Sequence, residues 1–148
     1  MNNQDKIDFI VGWMTDCISK MPDPAKSLVV GVSGGIDSAL TSTLASMTGL
    51  RTFALSMPIS TNSNSSNLSS AHGKWLENKF TNTTFMTIDL TSTYMEFSSL
   101  LTNSDQVSDL GFANTKSRLR MVTLYQVAAA QRGLVVGTGN KVEDFGVG

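Results

Sequence analysis

The 148 residues, 41% hydrophobic and 16% charged, suffice for one compact domain over 1–148. A formal net charge of -1 argues against the broad basic surface of a nucleic-acid binder, and a single cysteine, Cys17, excludes an intrachain disulfide and a cysteine-based metal site. No apolar run approaches a membrane span and the first residues lack the apolar core of a signal peptide, so a cytoplasmic location is expected, with neither membrane nor nucleic-acid partners.

The chain begins with Ile7, Ile10, Val11, Met14 and Ile18 at helical spacing, which predicts a helix over about 5–20. Phe9, Trp13 and Cys17 widen its apolar face, and that face reads as core packing. Pro22 and Pro24 stop the helix. A buried strand is expected over 27–32, then a Gly/Ser turn, then a helix over 35–47 with Gly49 as its left-handed cap. A second strand over 51–57 is closed by Pro58. The polar stretch 59–66 fits both a ligand-facing loop at the carboxyl end of a strand and a plain connector.

Ser66 or Asn67 can cap a helix to about Phe80, which carries His72; a lone histidine without partners reads as a surface or packing residue. A third strand is expected over 85–90, followed by a helix to about Leu101 capped by Thr91 or Ser92. A connector over 102–111, a long helix over 114–132 and a fourth strand over 134–137 complete the order. Strands alternating with helices predict an α/β fold: an open, doubly wound parallel sheet with helices on both faces.

The stretch Gly31-Val32-Ser33-Gly34-Gly35-Ile36-Asp37-Ser38 breaks a strand and opens a helix. Such a turn aims backbone N–H groups and the positive end of a helix dipole at one spot, and glycine lets a phosphate approach closely. Ser33 and Ser38 offer hydroxyl donors. Asp37 is an acid where a phosphate is expected, which requires a cation between them and reads as a Mg2+ ligand. The loop has no lysine, so it is not a Walker A loop, and its glycines do not fit the dinucleotide-binding spacing. Ser-Gly-Gly-x-Asp-Ser instead resembles the pyrophosphate loop of ATP-pyrophosphatases, which cleave ATP between the α and β phosphates.

A second cluster is Asn114-Thr115-Lys116-Ser117-Arg118-Leu119-Arg120-Met121, whose charges alone read as a solvated basic turn. If the fourth strand lies beside the first, Thr138 and Glu143 reach the same rim as Asp37, and the two acids can share one Mg2+. No Ser/His/Asp or Cys/His set for nucleophilic catalysis is present.

Together, the phosphate loop, Asn114-x-Lys116-x-Arg118-x-Arg120-Met121-x-x-Leu124-Tyr125, and Leu134-Val135-Val136-Gly137-Thr138-Gly139-Asn140-Lys141-Val142-Glu143-Asp144-Phe145-Gly146-Val147-Gly148 resemble ammonia-dependent NAD+ synthetases. The resemblance implies an adenine nucleotide alpha hydrolase-like, Rossmann-like three-layer sandwich. It implies ATP binding by Gly31, Val32, Ser33, Gly34, Gly35, Ile36, Asp37, Ser38 and Thr138, and deamido-NAD+ binding by Arg118. It implies Mg2+ held by Asp37 and Glu143, and places the adenine near Ser56, Met57 and Pro58. The implied reaction is ATP-dependent amidation of deamido-NAD+ with ammonia, through an acyl-adenylate and without a side-chain nucleophile. The implied assembly is a homodimer, for which the first helix and the helix over 114–132 offer apolar surfaces.

Family members continue beyond the point that matches Gly148, with further contacts to both substrates. The resemblance therefore implies a chain lacking the family's C-terminal part, with weak or no turnover alone. It carries no glutaminase sequence, so ammonia is expected free or from a separate chain. The alternatives are a nucleotide-binding fragment without turnover and another ATP-pyrophosphatase of the same loop family.

Overall fold

The computed structural model describes residues 2–59 and 64–140, and of 64–66 the backbone only. Its elements in chain order are α1 (Asn3–Ser19), β1 (Ser27–Gly31), α2 (Ile36–Met47), β2 (Arg51–Ser56), α3 (Asn64–Lys79), β3 (Thr83–Thr87), α4 (Thr91–Thr102), α5 (Asp109–Ala130) and β4 (Gly133–Val136). The strands form one parallel sheet in the order β3-β2-β1-β4. The chain therefore builds outward from β1 to β3 and then returns to the other side of β1. That reversal opens a crevice above the carboxyl ends of β1 and β4, where open α/β sheets bind ligands.

Side-chain alternation along the strands divides the core between two faces. Val29, Phe53 and Leu55 face Leu119, Leu124, Val127 and Ala128 of α5, with Leu90 and Tyr94 of the α4 region. Val30 and Ala54 face Leu76 and Phe80 of the α3 region. Leu28 meets Ala45 of α2 and Ile18 of α1. Helices thus cover both faces, as the alternation predicted. Four successive buried residues in β1 match a strand covered on both sides.

The buried side of α2 is polar but satisfied. Ser46 Oγ donates to Ser42 O, Thr83 Oγ1 donates to Ser46 Oγ, and the Asn82 amide donates to Ser46 O and Leu50 O. No buried side-chain nitrogen or oxygen among the described residues lacks a partner. Gly49 takes the expected left-handed conformation, with φ +76°.

Several boundaries differ from expectation. The third strand starts two residues early, at Thr83, because the polar pair Asn82 and Thr83 is drawn inward by α2. Ile88 and Leu90 lie beyond that strand but still donate backbone bonds to Ser56 O and Pro58 O. Neither Thr91 nor Ser92 caps α4; the N-cap is Leu90, without a side-chain bond, and Asp89 Oδ1 accepts from Thr91 N instead. The long helix begins at Asp109, where Ser108 caps it by accepting from Gly111 N. Its C-cap is Gln131, Arg132 takes φ +50°, and Gly133 already belongs to β4, where a Cβ would crowd Ser27.

The backbone of α3 starts at Asn64, before the expected cap. Of the stretch 59–66, residues 60–63 lie outside the described residues, while Ile59 joins the core. The first helix packs less fully than expected: Phe9 is 65% exposed, Trp13 59% and Cys17 also exposed, because only one stripe, Met14 and Ile18, reaches the rest of the chain.

Candidate nucleotide site at the β1/β4 crevice

The Gly31–Ser38 loop is built by its own hydroxyls. Ser38 Oγ donates to Gly35 O at 2.9 Å and accepts from Ser33 N at 3.2 Å. Ser33 Oγ accepts from Gly35 N at 3.2 Å and lies 3.1 Å from Ser38 Oγ. The two serines read from the sequence as phosphate donors thus hold the loop closed on itself. Gly34 makes the turn at φ +92°, a conformation that favours glycine. Gly35 is the N-cap of α2 and offers no side-chain bond to it. The first N–H groups of a helix have no partner within it, so an uncapped start leaves them for an anion.

Pairing of Val30 with Val136 carries the segment after β4 out beside the loop after β1. There Asn140 Nδ2 donates to Asp37 Oδ2 at 2.9 Å. A cavity of about 570 Å3 opens next to this junction. That volume suits a small-molecule ligand. Gly31, Val32, Ser33, Ser38 and Thr138 form one wall. Ser56, Met57 and Pro58 at the end of β2 form a second. Ser117, Arg120, Met121 and Leu124 of α5 form a third. Gly34, Gly35, Ile36 and Asp37 do not line the cavity itself, and Ile36 is 80% exposed.

Arg118 and Arg120 part company on α5. Arg118 is exposed, does not line the cavity, and donates from Nη1 to Asn114 O of its own helix. Arg120 is half-buried and donates from Nε to Met57 O at 3.0 Å. Burial lowers its pKa, yet a guanidinium stays charged at any physiological pH. Arg120 stands in the sequence motif without an assigned role, and Asp89, which also lines the cavity, was given none. The Thr91 hydroxyl and then its backbone N–H hold the Asp89 carboxyl below its ordinary range.

Asp37 is a hard oxygen donor of the kind Mg2+ takes one or two of beside substrate phosphates. The described residues contain no cluster of three His, Cys, Asp or Glu, and Glu143 lies outside them. His72 stands apart from the cavity: its Nε2 is 2.9 Å from Ser42 Oγ of α2 and its ring stacks on Trp75. It is a packing residue, as expected.

Residues 6–148 match the sequence model for NAD synthase. The chain belongs to the NAD synthase family. It is 38% identical over 122 residues to an NH(3)-dependent NAD(+) synthetase of Methanosarcina mazei, a match covering 80% of this chain and 46% of the relative. It is 32% identical over 146 residues to the corresponding synthetase of Carboxydothermus hydrogenoformans, covering 97% and 57%. This NAD synthase family chain thus spans about half the length of the curated relatives it matches. An NMN synthetase structure from Francisella tularensis superposes with a TM-score of 0.82 at 32% identity, covering 97% of this chain and 57% of that one. An NH3-dependent NAD synthetase from Campylobacter jejuni gives 0.81 at 27%, covering 97% and 59%. The α/β fold expected from the alternation is the fold of these NAD synthase relatives.

Proposed function

We propose that this chain binds ATP and serves the amidation of deamido-NAD+ with ammonia, giving NAD+, AMP and pyrophosphate. The observation that carries the reading is the uncapped start of α2, set in a self-closed Ser/Gly loop beside a cavity at the β1/β4 reversal. The loop receives the terminal phosphates of ATP, and the end of β2 receives the adenosine. The nicotinate carboxylate attacks the α-phosphorus, pyrophosphate leaves, and ammonia then displaces AMP from the acyl-adenylate. Positioning and charge stabilisation suffice for such a step, so no nucleophilic side chain is required.

Asp37, with Glu143, would hold Mg2+, and Asn140 orients the Asp37 carboxylate. When bound, the ion supplies neutralisation of the departing pyrophosphate. Arg118 serves deamido-NAD+ from outside the ATP cavity. Homodimerisation belongs to the same reading: Val122 and Tyr125 of α5, with Phe9 and Trp13 of α1, are exposed apolar side chains for a second copy to cover. So does a cytoplasmic location; among the described residues, no helix is long and apolar enough to cross a membrane.

AMP release is the deciding measurement. Release that requires both deamido-NAD+ and ammonia supports the full reaction. ATP binding without AMP release makes the chain a nucleotide-binding module, a reading favoured by Arg118 being bonded to its own helix rather than facing the cavity. The likeness to an NMN synthetase sets a second acceptor to try, the corresponding mononucleotide, which presents the same nicotinate carboxylate.

A further inference from the structure

Among the described residues that line the cavity, Arg120 is the only cationic side chain. The phosphate loop itself contains no lysine or arginine. Arg120 spends one N–H, that of Nε, on Met57 O, a bond between residues 63 apart in the chain. The four N–H groups on its terminal nitrogens have no hydrogen-bond or ion-pair partner among the described residues. Asp89 lines the same cavity but forms no ion pair with Arg120. A half-buried guanidinium without an acid is costly unless an anion completes it.

The Nε anchor matters as much as the charge. It ties the guanidinium to Met57 at the end of β2, the wall assigned to adenosine, in a cavity that the Gly31–Ser38 loop lines on another side. The phosphate between those two walls is the one attached to the ribose. A guanidinium offers two phosphate oxygens a fixed planar fork while its Nε holds Met57 O, a geometry an ammonium point charge does not provide.

We propose that Arg120 grips the α-phosphate of the bound adenine nucleotide through its terminal N–H groups while its Nε stays on Met57 O. This rests on the nucleotide-site reading above. The α-phosphate persists from ATP through the adenylate to AMP, so one contact serves all three.

The test is calorimetric titration of the 148-residue chain with adenosine, AMP and ATP–Mg2+, for the wild type, Arg120→Gln and Arg120→Lys. The wild type should bind AMP about tenfold more tightly than adenosine, the scale of charge-assisted hydrogen bonds. Arg120→Gln should erase that preference and leave adenosine affinity unchanged. Arg120→Lys, which keeps the charge without the fork, should fall between. An unchanged preference in Arg120→Gln overturns the assignment. So does an equal loss for adenosine and AMP, which would make Arg120 a mere tether for the end of β2. Should Arg120→Gln fail to fold, Arg120→Lys decides by the same ratio. A wild type that is folded but binds no nucleotide overturns the nucleotide site itself. ATP binding that depends on Asp37 but not on Arg120 overturns only the present assignment.

Discussion

Asn140 and Asp37, 103 residues apart in the chain, share a 2.9 Å hydrogen bond at the mouth of the crevice. It joins the start of α2 to the segment after β4 and fixes one oxygen of the Asp37 carboxylate. Asp37→Ala should abolish Mg2+-dependent ATP binding. Asn140→Ala removes only the orienting bond, and should weaken ATP by roughly 1 kcal/mol, about fivefold. Calorimetry on both variants checks the order; equal effects would mean that the carboxylate matters only through Asn140.

Ser38 is buried and closes the loop through Gly35 O and Ser33 N. Ser38→Ala leaves Ser33 N without its partner, while Gly35 O keeps the Ala39 N–H. A loss of about 1–3 kcal/mol in urea unfolding is expected. Exposed Ser33 should cost less when changed to alanine, since its bond to Gly35 N lies at the surface and only its contact with Ser38 Oγ is part-buried.

Gly73 on α3 lies against the Phe85 ring, and a Cβ there would run into it. Gly73→Ala should therefore destabilise the chain by roughly 1–3 kcal/mol, despite alanine's higher helix propensity. A melting temperature unchanged or raised would show that Phe85 can swing aside at no cost.

Burial lowers the His72 pKa, and a hydrogen bond to the Ala39 backbone only partly opposes it. The folded state thus prefers the neutral ring. Its contribution is fully present above the unfolded histidine value of about 6.5, and is lost as pH falls from there through the folded value, because the unfolded chain takes up the proton first. Stability should fall on acidification from pH 7 to 5 more in the wild type than in His72→Gln. Parallel unfolding midpoints over that range would rule out the linkage.

Arg118→Ala should leave ATP affinity unchanged, because Arg118 faces away from the cavity. Any loss should appear with deamido-NAD+. Titrating both ligands separates the two arginines of α5.

Those two arginines also show what a sequence reading reaches. The Gly31–Ser38 turn was legible as local structure: eight consecutive residues dictate strand, turn and helix start, and the structure keeps them so. Gly49 was legible for the same reason. Arg120 was not, since its meaning depends on Met57, 63 residues away. Residues two apart on a helix point to nearly opposite sides, yet spacing alone does not say which side is the inner one. The stripe of Phe9, Trp13 and Cys17 failed likewise: an apolar face looks the same whether it meets a core or water. β3 slipped because its inward pull comes from hydrogen bonds of Asn82 and Thr83, which hydropathy does not register.

β1 is paired on one side by β2, which follows it closely, and on the other by β4, whose first residue aligns with Ser27. The Ser27 hydroxyl reaches Gln131 O, 104 residues onward. Closing so long a loop is expected to come late in folding, because its entropy must be met before the contacts repay it. During synthesis the first three strands and their helices can therefore assemble while one edge of β1 stays open. On that order the crevice would be the last part of the described fold to take shape, and a chain stalled before residue 133 would have the Gly31–Ser38 loop without its opposite bank.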